Sequence, residues 1–171
     1  LNSHSFEDTR VTVVNDDALV WLDAHPGRYD AIVVDFPDPN TFALGKLFTK
    51  LFYRRVRAHL APGGAAVVQA TSPLFARKSF WCIADTIAAA GLAVQPYQAS
   101  VPSCGVWGYV LARQAPFQPP AHVKSGRFLN DAAVAAMFDM PADMTHVPVE
   151  INQLDNQALV RYYEHEWRRW E

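Results

Sequence analysis

Cysteine is scarce in this chain of 171 residues: Cys82 and Cys104 are the only two. Two cysteines make neither a disulfide framework nor a four-ligand zinc site, and they read as small hydrophobes in a reducing compartment. Cys104, beside Gly105 in a loop, reads either as a packing residue or as a thiol nucleophile whose partner the sequence does not identify. An excess of one charge is also lacking. Fifteen Lys+Arg stand against 17 Asp+Glu, a formal net charge of -2, so the basic surplus of a general nucleic-acid binder is absent. No apolar run approaches the roughly 18 residues that span a bilayer. Residues 1–10 are polar where a secretory signal would be hydrophobic. The six histidines are scattered without metal-ligand spacing, and Gly-x-Ser-x-Gly, the mark of a hydrolase elbow, does not occur. What is plentiful is apolar residues, 50% of the chain, enough for one sizeable core and too many for disorder.

Short buried strands alternate with helices in the first two thirds. Residues 11–14, Val-Thr-Val-Val, read as a short strand ending in Asn15, Asp16 and Asp17, and residues 18–25 as a short helix stopped by Pro26-Gly27. The continuous apolar run 31–34 suits a strand buried in a parallel sheet. A loop follows, Phe36-Pro37-Asp38-Pro39-Asn40, which two prolines keep out of the helical region. Phe42, Leu44, Leu47, Phe48, Leu51, Phe52 and Val56 recur at helical spacing and predict one amphipathic helix over 42–56. Ala61-Pro62-Gly63-Gly64 breaks it, a buried strand covers 65–69, and a helix runs from about 75 to 90 with Gly91 at its C′ position. Strands at 92–97 and 106–111 follow. The few residues between them are too short for a parallel crossover, so these two strands are expected to be antiparallel.

The fold class expected is therefore α/β: an incomplete class I methyltransferase-like (Rossmann-like) sheet with helices on both faces, a last antiparallel strand, and its first two strands missing. Residues 1–113 would form this partial domain. Residues 114–171 would add a connector marked by Pro116, Pro119 and Pro120, a short helix capped at Asn130-Asp131, and a terminal helix over 155–170 packing on the domain.

In open α/β sheets, ligands bind beyond the carboxyl ends of the strands. Those ends supply Asp16 and Asp17, then Asp35 and Asp38, then Gln69, Thr71 and Ser72. Asp35 and Asp38, three apart on a stiff loop, can hold a cationic amine and take a proton from it. The alternative is that Asp38 caps the next helix and Asp35 merely ends a strand. Asp16 or Asp17 either caps a helix or accepts hydrogen bonds from a sugar or a base. Gln69 is a strand-end filler or a ligand contact.

The series Asn15-Asp16-Asp17-Ala18-Leu19, then Tyr29-Asp30-Ala31-Ile32-Val33-Val34-Asp35-Phe36-Pro37-Asp38-Pro39, Leu60-Ala61-Pro62-Gly63-Gly64, Val68-Gln69, Gly105-Val106-Trp107-Gly108-Tyr109 and Arg127-Phe128-Leu129-Asn130 to Phe138-Asp139-Met140-Pro141 resembles the polyamine aminopropyltransferases, the spermidine synthase family. The resemblance implies Asp35 as the general base that deprotonates the attacking amine and Asp38 as the carboxylate that holds it. It implies Gln69 beside the substrates, and Asp17 and Ala18 at the adenine of the co-substrate, decarboxylated S-adenosylmethionine. No metal and no tightly bound cofactor are implied. The partners implied are a small-molecule amine and an S-adenosyl nucleoside, no nucleic acid, and a second copy of the chain in a homo-oligomer.

Three departures bear on the amine pocket. The spacer between the aspartates is Phe36-Pro37 rather than small and hydroxylated. Ala70-Thr71-Ser72 stands where the family often has an acidic residue. The loop from Pro102 to Gly105 lacks the family's tyrosine. With Trp107, this predicts an acceptor more apolar than putrescine, or a single amine. The tail from Val147-Pro148-Val149-Glu150 onward resembles a subgroup whose full chains carry N-terminal membrane helices, implying a cytoplasmic enzyme tethered to the inner face of the membrane. The family's glycine-rich first turn and acidic second strand end should precede Asp17, so the chain reads as a C-terminal part of a longer protein. Phe36-Pro37-Asp38-Pro39 also resembles the tRNA guanine-N7 methyltransferases, and a non-catalytic binding or assembly domain of the same fold is the third alternative.

Overall fold

The structure, a computed structural model, describes residues 4–103, 105–124 and 126–168. Cys104, and residues 169 and 170 of the helix expected over 155–170, lie outside the described residues. In chain order the elements are α1 (Ala18–Ala24), β1 (Tyr29–Val34), α2 (Phe42–Gly45), α3 (Lys50–His59), β2 (Leu60–Gln69), α4 (Arg77–Ala89), β3 (Ala93–Val101), β4 (Gly105–Arg113), α5 (Asp131–Phe138) and α6 (Ala158–Trp167).

The four strands form one sheet in the order β1-β2-β4-β3. β1 and β2 are parallel, and β4 is antiparallel to both β2 and β3, as the short β3–β4 connection requires. Pro96 is tolerated because β3 is the edge strand. Val34, Ala66, Val68, Val110 and Ala112 point to one face and are buried there with Phe52, Val56, Phe80, Ile83 and Ile87 of α3 and α4. Toward the opposite face, Tyr97 stacks on Tyr109 and meets Phe138 of α5.

Four expectations change. The run 31–34 is a strand but not a buried one: β1 lies at the sheet edge, and only Val34 of it is buried. Residues 11–14 form no strand; Val11, Val13 and Val14 are exposed, because no strand among the described residues lies beside them to pair with. The helix over 42–56 is two helices with a 3-10 turn between them, Lys46–Phe48. Thr49 restarts the helix by accepting from Phe52 N–H and donates to the Lys46 carbonyl, which is how a threonine favours a cap over a helix interior. The Ala61-Pro62-Gly63-Gly64 break lies inside β2. The pairing shifts there from Tyr29↔Leu60 to Ala31↔Ala65, with Gly63 at φ +80°, so the segment bulges without leaving the sheet.

α6 packs on α4, and one side chain fixes how. The first turn of α4 has no side-chain cap of its own. Glu166, 9% exposed, accepts from Lys78 N–H at 2.7 Å, Ser79 N–H at 3.0 Å and Ser79 Oγ at 2.7 Å. A carboxylate at a helix N-terminus satisfies orphan donors and the dipole together. Glu166→Gln should cost about 2 kcal/mol of stability, read as a lower denaturant midpoint at unchanged slope. An unaltered midpoint would remove Glu166 as the anchor of α6.

Candidate active site

The sheet brings the carboxyl ends of β1 and β2 to one edge. There Asp35 leaves β1 and Gln69 closes β2. With its amide nitrogen turned to Asp35, Gln69 donates to that carboxylate and accepts from the Trp107 indole N–H at 3.0 Å. This orientation is assigned from the neighbours: an indole nitrogen only donates and a carboxylate accepts. Asp35 is exposed, so the chain of Trp107, Gln69 and Asp35 ends in a carboxylate aimed at solvent and steadied from behind. Just past Gln69, Thr71 sits at φ 57°, where a β-branched residue is strained. Its carbonyl accepts from Gly108 N–H at 2.6 Å. A Cβ on Gly108 would stand 2.5 Å from the Phe80 ring, so this tight crossing of β4 over the end of β2 needs glycine.

Asp38 is half-buried and does not cap a helix. Thr41 caps α2 instead, accepting from Leu44 N–H at 3.3 Å. Asp38 Oδ2 accepts from the Tyr163 hydroxyl of α6 at 2.9 Å. Burial pushes the Asp38 carboxyl above its ordinary value, and the Tyr163 hydrogen bond opposes that rise. No spacing argument points to Tyr163, which stands 125 residues further along the chain; helical periodicity identifies it only as one of the packing residues of the terminal helix.

Phe36 packs against the rings of α3 and of the turn before it. Its ring meets Phe48 and Phe52 edge-on, with centroids 6.1 and 5.5 Å away, and it borders a cavity of about 270 Å³ among α1, β1 and α3. Ala18, Asp16, Trp21 and Ile32 line the same cavity. Asp17 caps α1, with Oδ1 accepting from Leu19 and Val20 N–H, while Oδ2 pairs with Lys46 Nζ at 2.5 Å. Lys46 first, and the helix N–H groups after it, hold the Asp17 carboxyl below the usual carboxylate range. Asp17 thus takes the capping role and does not line the cavity, whereas Asp16 and Ala18 do. The structure joins Asp35 to Gln69 directly and sets Asp38 three residues on. Ala18 stands across the cavity that Phe36 borders.

The fold is that of the spermidine synthases. One solved in complex with the transition-state analogue AdoDATO matches with a TM-score of 0.68 at 23% identity, over 81% of this chain and 51% of that one. The spermidine synthase of Thermotoga maritima matches with a TM-score of 0.66 over 81% of this chain and 50% of its own. The spermine/spermidine synthase domain matches residues 1–119, and the chain belongs to that family. The polyamine aminopropyltransferase of Leptospira interrogans is 46% identical over 170 residues, 99% of this chain and 34% of its own length. Polyamine aminopropyltransferase 2 of Ralstonia nicotianae is 47% identical over 98% of this chain and 33% of its own. The chain thus spans about a third of the length of these curated relatives. Among the described residues, no helix is long and apolar enough to cross a membrane.

Proposed function

We propose that the intact protein moves an aminopropyl group from decarboxylated S-adenosylmethionine to an amine. The observation that carries this is the Trp107–Gln69–Asp35 chain ending in an exposed carboxylate, with a second carboxylate, Asp38, on the same stiff loop. Asp38 holds the acceptor as an ammonium ion. Asp35 takes one of its protons, and the freed lone pair attacks the aminopropyl methylene carbon bonded to the sulfonium. The carbon–sulfur bond breaks, its electron pair stays on sulfur, and methylthioadenosine leaves beside a secondary ammonium product. The sulfonium supplies its own leaving group, so the protein's share is alignment and the removal of one proton. The nucleoside lies along the cavity lined by Ala18 and Asp16, and Gln69 keeps Asp35 turned toward the amine.

The test is methylthioadenosine release by the full-length protein, given decarboxylated S-adenosylmethionine and a panel of mono- and diamines. Release that depends on an amine supports the reading; none with any amine overturns it. Asp38→Asn should raise the acceptor KM about 10-fold or more, because it removes a charge contact already present in the ground state. A variant that lowers kcat at unchanged KM would take that role from Asp38.

A further inference from the structure

Asp38 receives one bond from α6 and, among the described residues, no side-chain or backbone donor reaches its other oxygen. α6 lies beyond residues 1–119, the part that the family domain matches. The loop from Pro102 to Gly105 carries no tyrosine, yet a tyrosine reaches the acceptor carboxylate from this helix. Its placement is over-determined. Glu166, one turn on, is clamped by three donors of α4. The Trp167 ring packs 5.7 Å from Tyr163 and 6.3 Å from Phe75. A phenol on an anchored helix, packed against a ring that Phe75 also contacts, loses less freedom on making its hydrogen bond, and a donor aimed at a half-buried carboxylate is among the stronger kind.

We propose that Tyr163 is a positioning residue for the amine acceptor: by occupying Asp38 Oδ2 it turns Oδ1 toward the substrate and leaves the ammonium a single, directed acceptor. This deepens the aminopropyl-transfer reading and rests on it. It acts through Asp38 and touches neither the sulfonium nor Asp35, so its effect belongs to amine binding. Removing the hydroxyl leaves the ring, and with it the packing on Trp167.

The experiment is steady-state kinetics of full-length wild type, Tyr163→Phe, Asp38→Asn and the double variant, with thermal unfolding of each. Tyr163→Phe is expected to raise the acceptor KM roughly 10-fold, with kcat and the KM for decarboxylated S-adenosylmethionine within about two-fold of wild type. In the Asp38→Asn background the same change should add nothing, since a residue that acts through Asp38 has nothing left to act on. An equal KM rise in both backgrounds, or a loss of kcat with KM unchanged, overturns the role of Tyr163 and leaves the transfer reading standing. A wild-type protein that transfers to no amine overturns the reading, and this inference with it.

Discussion

Asp35→Asn in the full-length protein should lower the turnover of aminopropyl transfer about 10²- to 10⁴-fold, the usual contribution of a general base. Binding of methylthioadenosine should be little changed. Gln69 donates to Asp35, and an asparagine oxygen there still accepts that bond, so the Trp107–Gln69 arrangement survives while the basic lone pair is lost. The substitution therefore separates chemistry from architecture. Single-turnover measurements on preformed complexes would show the slow step directly. Near-normal turnover in the variant would mean that the proton leaves by another route, and Asp35 would lose its assignment.

A second large effect is expected at the sheet edge. β1 pairs with β2 alone, so one row of its N–H and C=O groups faces outward. Val33 on that strand is 75% exposed, and Val11, Val13, Val14 and Val20 are exposed as well. An unpaired apolar strand edge is a template for another chain. The 171-residue chain by itself should therefore run as a dimer or larger species in size-exclusion chromatography with light scattering. Val33→Lys should shift it to monomer mass, because a charge on an edge strand opposes further pairing. A wild-type chain already monomeric at tens of micromolar would show that residues 11–14 or a neighbouring loop covers the edge in solution.

Local pattern carried the strands and helices wherever one physical rule dominated. The apolar run before Asp35 is a parallel strand, though an edge one in which only Val34 is buried, and the short link between Tyr97 and Val106 forces antiparallel pairing. The misses fall where two rules compete. Residues 11–14 have strand propensity but no neighbour, and propensity without pairing yields no strand. Apolar spacing over 42–56 is continuous, yet Thr49 prefers the cap, so the helix restarts. Proline and two glycines at 62–64 read as a breaker but are absorbed as a bulge. In the site, Asp35, Asp38 and Gln69 were legible because strand ends converge on one edge. The packing of Phe36 on Phe48 and Phe52 was not legible, since sequence alone does not say which side of a proline-stiffened loop an aromatic ring takes. Tyr163 was not legible, because a contact across 125 residues leaves no local mark.

That same separation has a kinetic meaning. The sheet and α4 are assembled from residues 29–113, and their contacts can begin to form while synthesis continues. The Glu166 clamp closes over 88 residues and the Tyr163 bond over 125. Contacts of such long range bear the largest loop-closure entropy and tend to form late. A nascent chain thus displays a folded sheet with Asp35 already in place, while the partner of Asp38 arrives only once residue 163 has been made and α6 has docked. Premature termination between β4 and α6 would then yield a protein that can fold its sheet yet lacks the helix that steadies Asp38.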